Sequence, residues 1–73
     1  MMYDINVKKL KSILITERGL SLARVSKNCG VASGYISKTS ENGRMSDKVI
    51  YALMDKYEIN PTRYVIGWKG GKK

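Results

Sequence analysis

Apolar residues recur at helical spacing along the first part of the chain. Val7, Leu10 and Leu14 lie three or four positions apart, and lysines fill positions between them. This pattern predicts a first helix over about residues 5–18. Gly19 is expected to end it, because glycine readily adopts the left-handed conformation that closes many helices.

Two shorter helices are predicted to follow, separated by a glycine. Ser21 is a suitable N-cap for a second helix whose inward positions include Val25, and Gly30 ends that helix after barely three turns. A second capping residue, Ser33, precedes a short third helix over residues 35–39. Two short helices joined by a glycine turn form the helix-turn-helix layout.

Two further helices complete the predicted fold. The Glu-Asn-Gly run at residues 41–43 breaks the chain, and a wide apolar stripe over residues 47–57 predicts a fourth helix. Asn60 followed by Pro61 places a cap before the helix position that proline prefers. A short fifth helix is therefore expected over residues 61–66.

The predicted fold class is all-α, a compact bundle of about five short helices that contains a helix-turn-helix. A chain of 73 residues forms one domain, because so short a chain buries a limited share of its unfolded surface. We place this domain at residues 1–66. The glycine- and lysine-containing residues 67–73 are expected to form a basic C-terminal tail.

The charge of the chain points to a polyanionic partner. Its 14 Lys and Arg residues against 6 Asp and Glu residues give a formal net charge of +8 and a pI near 9.8. A charge that only keeps the protein soluble is the alternative interpretation. Binding to a membrane surface is not expected, because no segment pairs a Lys-rich face with an apolar face rich in Trp and Leu.

The cysteine and histidine content excludes several kinds of site. Cys29 is the only cysteine and histidine is absent, so one chain can form neither a disulfide nor a zinc site. We expect no cofactor, no small-molecule ligand and a buried, unreactive Cys29. No apolar run reaches the roughly 18 residues that span a bilayer, and the first residues lack the pattern of a signal peptide. A reducing cytoplasm is the expected compartment.

The spacing around the glycine turn suits a helix that protrudes from a small core. Val25 and Ile36 are expected to pack inward and fix the angle between the second and third helices, which leaves the third helix at the surface. Such a helix fits the major groove of DNA, which is about 12 Å wide. Double-stranded DNA is the polyanion that this pattern favours.

Residues 21–43, and within them the run of residues 25–37, resemble the lambda-repressor-like helix-turn-helix family, also called Cro/C1-type or XRE-type. The family's turn glycine and following apolar residue match Gly30 and Val31, its buried recognition-helix residue matches Ile36, and its Glu-Asn-Gly turn matches residues 41–43. The resemblance covers roughly residues 7–66. It implies a sequence-specific transcriptional regulator, a small Cro-like phage repressor acting in the cytoplasm of a bacterium or phage-infected host cell. An antitoxin or a plasmid copy-control regulator is the alternative role.

The chain departs from the family pattern at a few positions. The family usually has alanine where this chain has Ser26, because that side chain faces the other helix at close range, and serine is small enough to fit. Where the family often pairs a buried arginine with a glutamate, the alignment places Ile15 and Ser40. An apolar substitute for such a pair can be neutral or better for stability.

Carried over residue by residue, the resemblance assigns two sets of DNA contacts. The positions that face base edges match Ser33, Gly34, Ser37 and Lys38. The candidates for holding the sugar-phosphate backbone are Ser21, Arg24, Tyr35, Asn42, Gly43, Arg44 and Lys48. In the loop at residues 42–44 the family uses backbone amides as well as a basic side chain. Lys38 is the strongest base-reading candidate, since an ammonium group donates to guanine O6 and N7.

Each of these residues has an alternative, structural role. Lys38 can be a solvated lysine or a phosphate contact, and Gly34 can allow close backbone approach or simply weaken the helix. Tyr35 can contact a phosphate or a thymine methyl group, or it can cap the edge of the core. For Arg24 and Lys48 a solvated surface position fits equally well.

A homodimer that reads two half-sites is expected, because one short recognition helix makes few base contacts. The candidate dimer interface surrounds the fifth helix and comprises Tyr64, Val65, Ile66 and Trp68. The alternative is that these residues close the protomer's own core.

Other functional classes fit the sequence less well. An enzyme is not expected, because the chain has no histidine and only scattered carboxylates. An RNA-binding module is not expected either, since the paired basic and aromatic motifs of sheet-based modules are missing. The main alternative is a protein-interaction adaptor that binds another regulator or a polymerase. Lys38, Arg44 and Arg24 on one face with Ser33 would favour DNA, whereas an apolar patch around Trp68 on that face would favour the adaptor.

Overall fold

A computed structural model describes residues 2–69 of the chain. The molecule is small and mostly helical, with a two-stranded sheet. The elements in chain order are β1 (Met2–Asp4), α1 (Val7–Lys11) with a π-helical continuation (Ser12–Glu17), α2 (Leu22–Asn28), α3 (Tyr35–Asn42), β2 (Arg44–Ser46), α4 (Asp47–Tyr57) and a 3-10 turn (Pro61–Arg63). Within the described range, no helix has the length and apolar character needed to cross a membrane.

The first helix begins at Asn6, whose side-chain Oδ1 accepts a hydrogen bond from the backbone N–H of Lys9 at 3.1 Å. It ends before Gly19, which has the expected left-handed backbone with φ of 62°. Toward its end the hydrogen bonds widen to the π-helical pattern, with Arg18 N–H bonded to the Ile13 carbonyl at 3.1 Å. The predicted helix over residues 5–18 is thus confirmed apart from its ends.

The second helix is capped by Ser21, as predicted. The Ser21 hydroxyl accepts from the Arg24 N–H at 3.4 Å. Gly30, with φ of 82°, turns the chain after α2, a conformation that is strained for residues with a side chain. α2 and α3 are therefore two short helices joined by a glycine turn.

The third helix begins at Tyr35 as predicted, but its capping residue and its C-terminal end differ from the prediction. Gly34, not Ser33, occupies the cap position, because a turn in which Tyr35 N–H bonds to the Ala32 carbonyl precedes the helix. The helix also continues through Glu41 and Asn42. Only Gly43, with φ of 66°, takes the left-handed conformation that ends it.

The sheet corrects the all-α prediction. β1 pairs antiparallel with β2, and Tyr3 lies opposite Met45 in the register. On its other edge β1 is extended by an isolated antiparallel bridge between Ile5 and Val65, with the Ile66 N–H bonded to the Asp4 carbonyl at 2.9 Å. The N-terminal segment therefore lies between β2 and the chain after the 3-10 turn, and the predicted fifth helix shortens to Pro61–Arg63.

The core is one cluster of buried apolar side chains. They come from the four α-helices, the π-helical continuation of α1, β2 and the segments that flank these elements. Val25 and Ile36 are fully buried, as predicted for the residues that fix α2 against α3. α4 spans the predicted residues 47–57, and its apolar stripe closes the core. The buried members are Ile5, Leu10, Ile13, Leu14, Val25, Cys29, Ile36, Met45, Val49, Ile50, Leu53, Ile59, Tyr64 and Val65.

Candidate nucleic-acid interface

The junction between α2 and α3 is held by a buried polar contact. Ser26 is completely buried, and its hydroxyl donates to the Leu22 carbonyl at 2.8 Å and accepts from the Ile36 N–H at 3.2 Å. The second bond satisfies one of the amides that the first turn of any helix leaves without an intrahelical partner. The serine at the family's alanine position thus both fits between the helices and bonds them.

Helix α3 has a buried side and an exposed side. Ile36 and Thr39 face the core, and the Thr39 hydroxyl donates to the Ile36 carbonyl. The four predicted base-contact residues are all exposed. Ser37 and Lys38 lie in the first turn of α3, and Ser33 and Gly34 lie in the turn that leads into it. The structure therefore brings this predicted set together at the surface.

The loop after α3 differs from the expectation for its backbone amides. The Gly43 N–H donates to the Thr39 carbonyl at 2.6 Å, and the Arg44 N–H donates to Asn42 Oδ1 at 2.9 Å. These two amides are satisfied within the chain, so the prediction that they hold a phosphate is corrected. The Arg44 guanidinium is left as the cationic group of this loop.

Arg44 is exposed, and its charge is paired. Its Nε lies 3.3 Å from Oδ1 of Asp4, and both side chains are about two-thirds accessible to solvent. Exposed ion pairs of this kind contribute at most about 1 kcal/mol to stability. A phosphate can therefore compete with the Asp4 carboxylate for the guanidinium.

Tyr35 lies at the boundary between core and surface. It is half-buried, and its hydroxyl accepts a hydrogen bond from the Ser46 N–H at 2.9 Å, which connects α3 to the end of β2. This contact gives Tyr35 the structural role that the sequence left open, with one edge of its ring still at the surface.

A cleft of about 150 Å³ lies where the exposed side of α3 meets β1 and the loop after α3. Its lining residues come from α3, the following loop and β1: Met2, Tyr35, Lys38, Thr39, Asn42 and Arg44. Two exposed basic side chains, Lys38 and Arg44, thus share one concave surface. Sequence reasoning missed Met2, because nothing in the sequence placed the first residues beside the third helix.

Arg24 lies in a different concavity from Lys38. This second surface is formed by one side of α2 and is lined by Ser21, Ala23, Arg24, Lys27 and Asn28. Ser21 and Arg24 are brought together here as predicted, and exposed Lys27 adds a basic group that sequence reasoning missed. Lys48 is exposed in the first turn of α4 and lines neither surface.

The predicted dimer interface is divided between core and surface. Tyr64 and Val65 are 2% and 5% exposed, so they close the protomer's own core and offer no surface to a partner, which corrects that part of the prediction. Ile66 is 64% exposed. It follows Val65, the residue that forms the bridge to Ile5, and its side chain points away from the core. Ile66 and half-buried Trp68 are what remains of this interface.

Trp68 packs against the body of the protein. Its ring makes edge-to-face contacts with Tyr3 at 5.0 Å and with Tyr51 at 5.6 Å between ring centroids. Trp68, which was predicted to belong to the tail, is therefore packed against the folded domain. Residues 70–73 of the predicted tail lie outside the described residues. Neighbouring side chains of a strand point to opposite faces, so Tyr3 lies on the face opposite to Asp4 and its partner Arg44. Trp68, which contacts Tyr3, therefore lies on the side of the sheet opposite to Arg44.

The core contains two titratable groups that are held neutral. Burial raises the pKa of the Cys29 thiol above its ordinary value, as expected for an inert buried cysteine. Burial, followed by the neighbouring Cys29, raises the pKa of the Tyr64 hydroxyl, which has no hydrogen-bond partner among residues 2–69. In that same part of the chain no cluster of His, Cys, Asp and Glu has the arrangement of a metal site.

No protein-family model, curated protein or solved structure matches the chain. The function is therefore inferred from the exposed residues of α3 and its surroundings.

Proposed function

We propose that the protein is a sequence-specific, double-stranded-DNA-binding transcriptional regulator of the Cro-like repressor type, which places α3 in the major groove. The feature of the fold that supports this proposal is the pair of short helices α2 and α3, joined through Gly30, which resembles the helix-turn-helix of lambda-repressor-like proteins. The observation that carries the proposal is the shared cleft of Lys38 and Arg44 on the exposed side of α3. Both cations lie where a helix in the groove meets base edges and phosphates.

The two cations have different roles in this proposal. Lys38 follows Ser37 on the exposed side of α3 and donates to guanine O6 and N7, while the Ser33 and Ser37 hydroxyls serve either base type. Gly34 has no side chain and allows close approach of the backbone. Arg44, beyond the end of α3, holds a phosphate.

The remaining phosphate contacts lie around this helix. On α2, Ser21 and Arg24 form a second basic surface. Asn42 and the edge of Tyr35 line the cleft, whereas the contribution of Lys48 depends on the path of the DNA past α4. The formal charge of +8 supports binding to a polyanion over this whole surface.

The alternative function, a protein-interaction adaptor, is disfavoured by the placement of Trp68. An adaptor needs an apolar patch on the surface that contains Lys38 and Arg44. Trp68 instead packs on Tyr3 and Tyr51, on the opposite side of the sheet. The exposed side of α3 is polar, with Lys38 and Glu41 as its charged residues, and Arg44 adds a further cation beside it. A polar surface with these cations suits a nucleic acid better than an apolar protein surface.

We further propose that the protein acts as a homodimer on DNA, in the cytoplasm of a bacterium or phage-infected cell. Of the residues predicted for the dimer interface, Ile66 and Trp68 are the two that reach the surface. Two-fold symmetry would place two α3 helices about one helical turn of DNA apart. The contacts of one short helix are then doubled.

Selection of bound sequences from a random duplex pool tests the proposed function. The wild-type protein is expected to enrich a two-fold symmetric sequence, and Lys38→Ala is expected to relax the preference at one position in each half-site. Lys8→Ala removes the same charge from the exposed surface of α1 and should leave the selected sequence unchanged. A wild-type pool that remains random after repeated selection would overturn the proposal.

A further inference from the structure

The outer face of the small sheet continues the exposed side of α3. Side chains of directly paired residues in an antiparallel sheet lie on the same face. Met2 pairs with Ser46 and Asp4 pairs with Arg44, so these four side chains share one face, while Tyr3 and Met45 face inward. The cleft that contains Lys38 joins this face to α3.

Met2 is the apolar member of this basic surface. It is 50% exposed, and it lines the cleft together with Lys38, Asn42 and Arg44. Met2 thus presents an accessible apolar surface beside two cationic side chains. The backbone of DNA offers both kinds of partner, an anionic phosphate and an apolar deoxyribose edge.

We propose that the outer face of the β1–β2 sheet is a second DNA-contacting element, in which Met2 packs against the deoxyribose of a nucleotide whose phosphate is held by Arg44. This inference rests on the proposed function, since it requires α3 to lie in the major groove. Charge complementarity favours DNA as the molecule bound in this cleft, because the ammonium of Lys38 and the guanidinium of Arg44 both line it. β1 is positioned from both edges, by β2 and by the bridge between Ile5 and Val65. The Met2 contact is therefore presented by a fixed strand.

Charge substitution at Met2 tests this contact, and the chain offers a matched control. Ile15 is an apolar residue of the π-helical continuation of α1, and it is not part of the cleft. Its 51% exposure is nearly the same as that of Met2. Met2→Glu and Ile15→Glu change the net charge equally. We expect Met2→Glu to weaken binding of the selected duplex by at least about tenfold, because a carboxylate then lies beside a phosphate. Ile15→Glu should change the dissociation constant by less than about twofold at the same salt concentration, because it lies outside the contact.

A proximity measurement tests the same contact without relying on energetics. Met2→Cys and Ile15→Cys are each labelled with a maleimide photo-crosslinker, while Cys29 stays unlabelled because it is 4% exposed. The label at Met2 is expected to crosslink to bound duplex and the label at Ile15 is not. Circular dichroism and wild-type-like urea midpoints establish that each variant is folded.

The outcomes separate this inference from the proposed function. A wild-type protein that binds no duplex overturns both. Duplex binding by the wild type with equal effects of Met2→Glu and Ile15→Glu, or with no crosslink from position 2, overturns the role of the sheet face alone. Weakening and crosslinking confined to Met2 establish it.

Discussion

The hydroxyl of Ser26 accepts a hydrogen bond from the backbone N–H of Ile36 at 3.2 Å, and both residues are fully buried. This contact joins α2 to the first turn of α3, the helix that carries Lys38. The angle at which α3 is presented therefore depends on a polar bond as well as on apolar packing.

Replacing Ser26 with alanine is expected to destabilise the protein, because alanine has no hydroxyl to accept a hydrogen bond from the Ile36 N–H. Ser26→Ala leaves the Ile36 N–H buried without a partner, which costs about 1–3 kcal/mol in the free energy of unfolding. Urea denaturation measures this loss. Ser12→Ala, at an exposed position of the first helix, should change the free energy by no more than about 0.5 kcal/mol. A Ser26→Ala variant as stable as the wild type would show that the bond is not needed.

Neutralising Asp4 is expected to strengthen DNA binding, because its carboxylate competes with phosphate for Arg44. Since an exposed pair is worth at most about 1 kcal/mol, Asp4→Asn should lower the dissociation constant by up to about fivefold at low salt. Fluorescence anisotropy with a labelled duplex measures the change. Glu58→Gln raises the net charge equally at the exposed end of α4, so an identical effect of the two variants would contradict a specific role of Asp4.

Stability is expected to fall at alkaline pH. Burial raises the pKa of both Cys29 and Tyr64, so the folded protein keeps them neutral while the unfolded chain ionises them. Their contribution is fully present below the ordinary thiol pKa of 9.0 and is lost as the pH rises above it. Urea unfolding from pH 7 to pH 10 measures the slope, and Cys29→Val should make that slope shallower. Equal slopes for the two proteins would exclude Cys29 as a cause.

The homodimer is expected to depend on Ile66. Ile66→Asn is tolerated by the fold because the side chain is 64% exposed, but it should weaken occupation of the second half-site. Footprinting of the selected operator measures this, with Ile15→Asn as the control at a comparably exposed apolar position. Wild-type protection of a single half-turn at saturation, with one protein per site, would rule the dimer out.

The helices could be predicted from the sequence where the signal is local. The long apolar stripe gave α4 with its observed ends, and glycine preferences located the left-handed residues Gly19, Gly30 and Gly43. Ser33 was predicted as the cap of α3 on residue type alone, but the turn before α3 places Gly34 in the cap position. The strands could not be predicted, because three residues are too few to show alternation and β1 pairs with a strand far along the chain.

The candidate site was predictable to the same extent. The register of the resemblance placed Lys38 at the surface and Ile36 in the core, as the structure has them. Met2 and Asp4 could not be found, because only the pairing of β1 with β2 brings Met2 to the cleft and Asp4 to Arg44. The backbone amides after α3 were predicted to bind a phosphate. No sequence signal shows that the Arg44 N–H donates to the side chain of Asn42 instead.

The central claim is that α3 reads base edges through Lys38 while Arg44 holds the DNA backbone. Dissociation constants for the selected duplex and its single-base variants, measured over a salt series, test it most directly. For the wild type, log K should fall with log salt by about 0.9 for each neutralised phosphate. Arg44→Ala should weaken all duplexes alike and reduce that slope by about 0.9, whereas Lys38→Ala should lose about 1–3 kcal/mol of discrimination at one base position. Wild-type affinity that does not change with salt for any duplex, or identical base profiles for the two variants, would contradict the claim.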